Sequence, residues 1–179
     1  MNYKTHIATS LALGASVCTV APISFTVTYA AGILLGSVLP DIDEPSSVIG
    51  KRTFGLSRVI KRYMGHRGFT HSLLAWLLLT FFCYSNPTSF LVGLSLGYLF
   101  HIIGDFFSVA SVPLFLPFTK WRLRNMPFAY RTDSKVEKWI MTSSMVAFIY
   151  FFVTDKLYIT LTYSILDILL FSSMLPLYK

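Results

Sequence analysis

Four histidines, His6, His66, His71 and His101, and three aspartates, Asp41, Asp43 and Asp105, are the residues of this chain best suited to chemistry. Imidazole nitrogen and carboxylate oxygen together make the mixed donor set that zinc takes, with manganese or iron as alternatives. His101 and Asp105 stand four residues apart, so on a helix they share one face and can hold one ion or bridge two. Asp41-Ile42-Asp43 follows Pro40 in what should be an extended turn, where each carboxylate can face a metal. His66-Arg67-Gly68-Phe69-Thr70-His71 supplies one histidine from a loop and one from a helix start, and Thr70 or Ser72 can cap or orient them. Taken singly, each piece has a plainer reading as a packing histidine, a turn or a cap. Taken together they exceed one tetrahedral shell, and two or more divalent ions are expected.

These donors need elements that bring them to one place, and composition says what those elements are. Of the 179 residues, 54% are hydrophobic and 13% are charged. A soluble domain of this length needs more polar surface. The apolar residues form long runs at about 5–20, 23–39, 69–84, 89–107, 139–153 and 157–175, near the ~20 residues a helix needs to cross a bilayer. Short joints at Ala21-Pro22, Ser85-Asn86-Pro87 and Thr154-Asp155-Lys156 predict antiparallel hairpins. An open sheet would leave backbone groups unsatisfied in lipid. The expected fold is therefore all-α: a polytopic membrane helical bundle of about six spans, as one domain. Residues 1–118 carry the metal-site core, 119–138 a basic loop and 139–179 a C-terminal hairpin. Two segments should lie along the membrane. One is a basic amphipathic helix with Leu56, Val59, Ile60, Tyr63 and Met64 on one face. The other is a re-entrant or interfacial stretch at 109–118, too short to cross and interrupted by Pro113 and Pro117.

Charge predicts the orientation. Lys51, Arg52, Arg58, Lys61, Arg62 and Arg67 precede the third run, and Lys120, Arg122, Arg124, Arg131, Lys135 and Lys138 precede the fifth. With six spans these loops share a face with both termini, hence with Lys4 and Lys179, and of the fifteen Lys and Arg residues only Lys156 lies opposite. The positive-inside rule makes that face cytoplasmic. All seven donors then fall at or just inside the cytoplasmic boundary. The net charge of +7 reads as a basic collar beside anionic lipid, with membrane lipids as partners and no nucleic acid. Thr28-Tyr29-Ala30 looks like a signal cleavage site, but the two preceding runs are broken by Pro22 and are expected to be retained. Cys18 and Cys83 sit inside apolar runs and suit packing.

Three blocks resemble a known family. Leu39-Pro40-Asp41-Ile42-Asp43, Gly65-His66-Arg67-Gly68-Phe69-Thr70-His71-Ser72-Leu73-Leu74 and Gly97-Tyr98-Leu99-Phe100-His101-Ile102-Ile103-Gly104-Asp105 resemble the YdjM-type membrane-bound metal-dependent hydrolases of the bacterial inner membrane. Val112-Pro113-Leu114-Phe115-Leu116-Pro117-Phe118 continues the likeness, which covers about the first two-thirds of the chain. Departures are Glu44, where some relatives have histidine, and Ser108 and Ser111, which replace a usual Thr and Gly. Glu44 can serve as an oxygen ligand, and its role stays open. More distantly, the donor order is similar to that of zinc-dependent phospholipase C and P1-type nucleases. That likeness implies Asp105 as a bridging ligand, with Asp43 or Asp41 as a ligand that orients the attacking water or accepts its proton.

The expected function is metal-assisted hydrolysis of a lipid or lipid-linked phosphoester at the cytoplasmic membrane surface. Asp41, Asp43 and Arg67 carry the catalysis, and Arg67 holds phosphate together with Arg122 or Arg124. A metal-ion transporter would place ionisable ligands along a path, yet the far halves of the spans carry none. A non-catalytic scaffold stapled by a structural metal is the remaining alternative. No HExxH motif is present, which argues against a zincin-type protease.

Overall fold

The computed structural model describes residues 1–123, 126–127 and 129–174. Arg124, Lys179 and the expected end of the last run at 175 lie outside the described residues. Seven helices follow one another: α1 (Tyr3–Val20), α2 (Val27–Gly36), α3 (Leu56–Met64), α4 (Leu73–Tyr84), α5 (Ser89–Phe106), α6 (Lys135–Thr154) and α7 (Leu157–Met174). Short 3-10 turns at Leu39–Asp43, Gly50–Arg52 and Phe69–His71 link α2 to α4 around α3. No strand occurs among the described residues, only an isolated parallel bridge between Ser108 and Tyr130.

Polar caps decide where the helices begin. Asn2, Thr26, Ser72, Thr88 and Ser134 each accept a hydrogen bond from a backbone N–H two or three residues on, which satisfies a donor the helix cannot. These caps make several helices shorter than the apolar runs that contain them. Thr26 holds back α2, which then gives way to the 3-10 turn at Leu39, so the run 23–39 yields only 10 helical residues. Ser72 starts α4 at Leu73, four residues inside the run 69–84. In the other direction, Ser134 starts α6 four residues before the expected 139.

By length and composition α5 and α6 can cross a membrane, while α4 and the Leu157–Leu170 part of α7 are apolar but shorter. The outer faces of α4, α6 and α7 expose Phe81, Phe82, Trp139, Val146, Ile149, Tyr163 and Leu166. An aqueous surface rarely carries so much contiguous apolar area. On α3, Leu56, Val59, Tyr63 and Met64 also point away from the protein, the orientation expected of an amphipathic helix resting on lipid. Segment 109–118 forms no helix. Its Val112 is fully buried against Tyr98 and Ile102, with Leu114 and Trp76 alongside, and the Leu114 carbonyl accepts from Leu73 N at 2.9 Å.

The tightest contact in the fold is between α2 and α5. Gly32 and Gly36 on α2 meet Gly93 and Gly97 on α5, and a Cβ at any of the four would collide with the backbone of the other helix. Two small-xxx-small stripes thus let the backbones touch, the device membrane helices use to pack without a hydrophobic driving force. Beside this contact lies a core of Ala15, Phe25, Tyr29, Ile33, Phe100 and Leu157. The close approach matters for chemistry, because it sets the end of α2 against the last turns of α5, where His101 and Asp105 sit.

Candidate metal centre

His6, His71, His101, Asp43 and Asp105 are all within 1% of full burial, on α1, the Phe69–His71 turn, α5 and the Leu39–Asp43 turn. Buried ionisable groups need partners, and the partners here are one another.

His101 is the central residue. Its Nδ1–H donates to the Ser37 carbonyl at 2.7 Å, a contact that exists because the glycine stripes bring α2 that close. A donating Nδ1 leaves the lone pair on Nε2, which faces inward. His71 is set the same way. Its Nδ1 lies 3.3 Å from Asp43 Oδ2 and 3.1 Å from Thr70 Oγ1, while the Thr70 hydroxyl donates to the same Asp43 oxygen at 2.6 Å. Asp43 therefore accepts the Nδ1–H hydrogen bond, which leaves Nε2 of His71 turned inward as the atom free to bind an ion or carry a second proton. The two Nε2 atoms face each other at 3.2 Å. A contact that short needs a cation between the two nitrogens, either a proton held by His71 or a metal ion that replaces it.

Two carboxylates complete the enclosure. His71 Nε2 is 3.5 Å from Asp41 Oδ1 and 3.7 Å from Asp105 Oδ2. His101 Nε2 is 3.7 Å from Asp41 Oδ1 and 3.9 Å from Asp105 Oδ2. A tetrahedral zinc with bonds of ~2.0–2.1 Å has donor–donor edges of roughly 3.4 Å, so these separations need only slight contraction. His6 stands beside this set. Its ring stacks on His101 at 3.7 Å and 9°, its Nε2 lies 3.3 Å from Asp105 Oδ1, and neither ring nitrogen has a hydrogen-bond partner. Asp105 Oδ2 is likewise buried and is met by the Arg67 guanidinium, Nε at 3.0 Å, rather than by a neutral donor. Buried imidazole nitrogens without partners beside a carboxylate suit a bound cation. The residues present fit a divalent metal, grouped as Asp41, His71 and His101 and as His6, His101 and Asp105.

Asp43 and His66 lie one layer further out. Asp43 Oδ1 is 3.1 Å from His66 Nδ1, and Oδ2 accepts from Arg67 N at 2.9 Å as well as from Thr70. Both of its oxygens are thus engaged by protein donors. The His66 side chain is 39% exposed and also lies 3.6 Å from Glu44 Oε2, while Glu44 itself pairs with Lys61 at 2.7 Å. Burial opposes ionisation of Asp41, but the hydrogen bond from His71 and the charges of His101 and His71 hold its carboxyl down at about 2. Asp43 is held lower still, against the same cost of burial, by His66, His71 and Thr70.

Arg67 occupies the other side of Asp105, with Nε 3.0 Å from Oδ2 and Nη2 donating to Oδ1 at 3.1 Å. Its backbone is left-handed, φ 54, a conformation that costs about 1 kcal/mol for a non-glycine residue. Asp43 holds its N–H, and Arg122 Nη2 donates to its carbonyl at 3.0 Å. Arg122 also donates to the Ser111 carbonyl, so it serves as a brace between two loops. The Met1 amino group donates to Asp105 Oδ1 at 2.6 Å.

Sequence reasoning missed Ser37, whose contribution is a backbone carbonyl and carries no side-chain signature, and the Gly32/Gly36 and Gly93/Gly97 pairs, whose spacing was there to be read. Of Thr70 and Ser72, the structure gives the orienting role to Thr70 and makes Ser72 the cap of α4.

Comparison with known proteins yields one family. The model of the YdjM inner membrane protein family matches residues 1–174. The chain is 41% identical over 120 residues to Inner membrane protein YdjM of Escherichia coli (strain K12), which is 63% of this chain and 61% of that protein. The protein of the same name in Shigella flexneri gives the same figures. Uncharacterized protein YvsG of Bacillus subtilis (strain 168) is 34% identical over 157 residues, 85% of this chain and 94% of that protein. No solved structure matches.

Proposed function

The chain belongs to the YdjM inner membrane protein family, and on that premise we propose that it is a divalent-metal hydrolase cleaving a phosphoester of a lipid or lipid-linked substrate at the cytoplasmic face of the membrane. The observation that carries this reading is the pair of inward Nε2 atoms on His71 and His101, 3.2 Å apart, with Asp41 and Asp105 around them. A structural cation site would be closed on all sides. Here Asp41 keeps 20% of its side chain exposed and Arg67 15%, so one edge is open to a substrate.

His71, His101, Asp41 and Asp105 would hold a zinc ion, with manganese or iron as substitutes. His6, His101 and Asp105 would hold a second ion where one is bound. When bound, such an ion polarises a phosphoryl oxygen and makes its water acidic near neutrality. The chain's own residues do the rest. Asp41, at the open edge, orients the attacking water and accepts its proton. Asp43 fixes the tautomer of His71 and the position of Arg67. Arg67 presents a planar fork of N–H donors to the phosphate oxygens, and Arg122 keeps the Arg67 loop in place. The six apolar runs read as six spans with both termini cytoplasmic, and the basic loops as a collar on anionic lipid.

The test is metal analysis of detergent-purified protein, paired with hydrolysis of p-nitrophenyl phosphoesters, for the wild type, His71→Ala, Asp105→Asn and Arg67→Gln. The wild type should carry at least one zinc per chain and turn over substrate. The first two variants should lose both metal and activity, and Arg67→Gln should keep the metal and lose activity. Unchanged metal content in His71→Ala and Asp105→Asn would refute the site. Full metal without turnover in the wild type would refute catalysis in favour of a structural staple.

A further inference from the structure

An apolar cavity lined in part by Gly104, the residue before Asp105, and by Met1, whose amino group donates to Asp105, is left unused by the metal chemistry. It occupies about 310 Å³ between α1, α5 and the start of α6, walled by Leu13, Phe100, Ile103, Phe107 and Ile140. At ~300–1,000 Å³ for ligand sites in general, this is a small one, suited to a single chain.

Its inner end reaches the donor cluster. Met1, Gly104 and Tyr130 form that end; Gly104 immediately precedes Asp105, and a Cβ on it would come within 3.4 Å of the His6 ring. The outer end opens sideways, because Leu13, Ile103 and Phe107 are each about 40% exposed and α5 is one of the helices able to cross a membrane. The polar groups of the lining are already committed. Tyr130 donates its hydroxyl to the Gly104 carbonyl at 2.6 Å, and Thr9 donates to the Thr5 carbonyl at 2.8 Å. A polar occupant would lose its hydration here without replacement, whereas a hydrocarbon chain loses nothing.

We propose that this cavity receives the hydrocarbon chain of the substrate, which makes the substrate a phosphate-bearing lipid that enters from the bilayer with its phosphate at Asp105 and Arg67. The inference rests on the hydrolase reading and deepens it. Charge complementarity supports the same pose, since the Arg67 guanidinium is held beside Asp105 through Nε and Nη2 and its side chain keeps 15% exposure. A larger apolar recess of about 580 Å³ between α1 and α6, with Lys4 at its rim, touches none of the donor residues and supplies the internal control.

The experiment uses the full chain, zinc-loaded in nanodiscs. A non-hydrolysable hexadecylphosphonate with a mid-chain diazirine is photolysed, and the adducts are mapped by mass spectrometry. In parallel, methyl and hexadecyl p-nitrophenyl phosphate, which share a leaving group, are compared as substrates. Label at Leu13, Ile103 or Phe107 is expected, with kcat/KM at least tenfold higher for the hexadecyl ester. Leu13→Trp and Ile103→Trp, which fill the cavity, should lower that preference about tenfold. Label confined to the recess beside Lys4, or hydrolysis of both esters without chain-length preference, overturns the lipid pocket while leaving the hydrolase standing. Label in the cavity without hydrolysis of either ester upholds the pocket and overturns the hydrolase.

Discussion

Replacing Asp43 by Asn separates a residue that holds a ligand from one that is a ligand. Asn keeps the shape of the side chain but removes its charge and turns one acceptor into a donor. Asp43 accepts from Thr70 Oγ1 at 2.6 Å and Arg67 N at 2.9 Å and lies 3.3 Å from His71 Nδ1, all through Oδ2. The retained amide oxygen can serve those three donors. The new NH2 then faces His66 Nδ1 across 3.1 Å, which a partly exposed imidazole tolerates by changing tautomer. The fold should therefore survive, and the loss falls on His71, whose Nδ1 proton is no longer held by an anion. Weakening the partner behind a metal-binding histidine typically costs 10–100-fold in affinity, or about 1.4–2.7 kcal/mol. Competition titration of zinc against a chelator, in detergent and at fixed pH, should place Asp43→Asn in that interval and His71→Ala well beyond it. Asp43→Asn binding as tightly as the wild type would refute the tautomer argument. A loss equal to that of His71→Ala would make Asp43 a ligand in its own right.

Three further outcomes follow from the geometry. Gly97→Ala places a methyl group against the α2 backbone at Ile33 and Ser37; overpacking of about 1–3 kcal/mol should lower the thermal midpoint in detergent, and an unchanged midpoint would mean that α2 and α5 are not in backbone contact. In metal-free protein, the carboxyl of Asp41 sits at about 2, below its unfolded value of ~3.9. Its contribution, roughly 2 kcal/mol, is therefore fully present above about pH 4 and lost as the pH falls towards 2; acid unfolding should be less steep in Asp41→Asn, and identical profiles would refute the coupling to His71 and His101. Single cysteines replacing Arg58 and Arg131, in a background lacking Cys18 and Cys83, should react with a membrane-impermeant maleimide only in inverted vesicles, and one replacing Lys156 only from outside; the opposite pattern would reverse the orientation.

Much of the molecule was legible without coordinates because the relevant signals are local. Long uncharged runs mark helices, the blocks around His66 and His101 mark the family, and the rarity of histidine in this chain made His6, His66, His71 and His101 conspicuous. Helix length was less legible, since Thr26 and Ser72 delay the start of a helix inside an apolar run through a single cap that competes with its hydropathy.

The residue types along the chain determined, by themselves, that nitrogen and oxygen donors occur at the ends of apolar segments. They could not rank those donors. Asp41 faces the two histidines and Asp43 stands behind one of them, though a single residue separates them, because the 3-10 turn rotates successive side chains by about 120°. Only the close packing of α2 on α5 decides that the Ser37 carbonyl reaches His101 and points its lone pair inward. Direction of this kind belongs to the meeting of distant backbones, which no local pattern encodes.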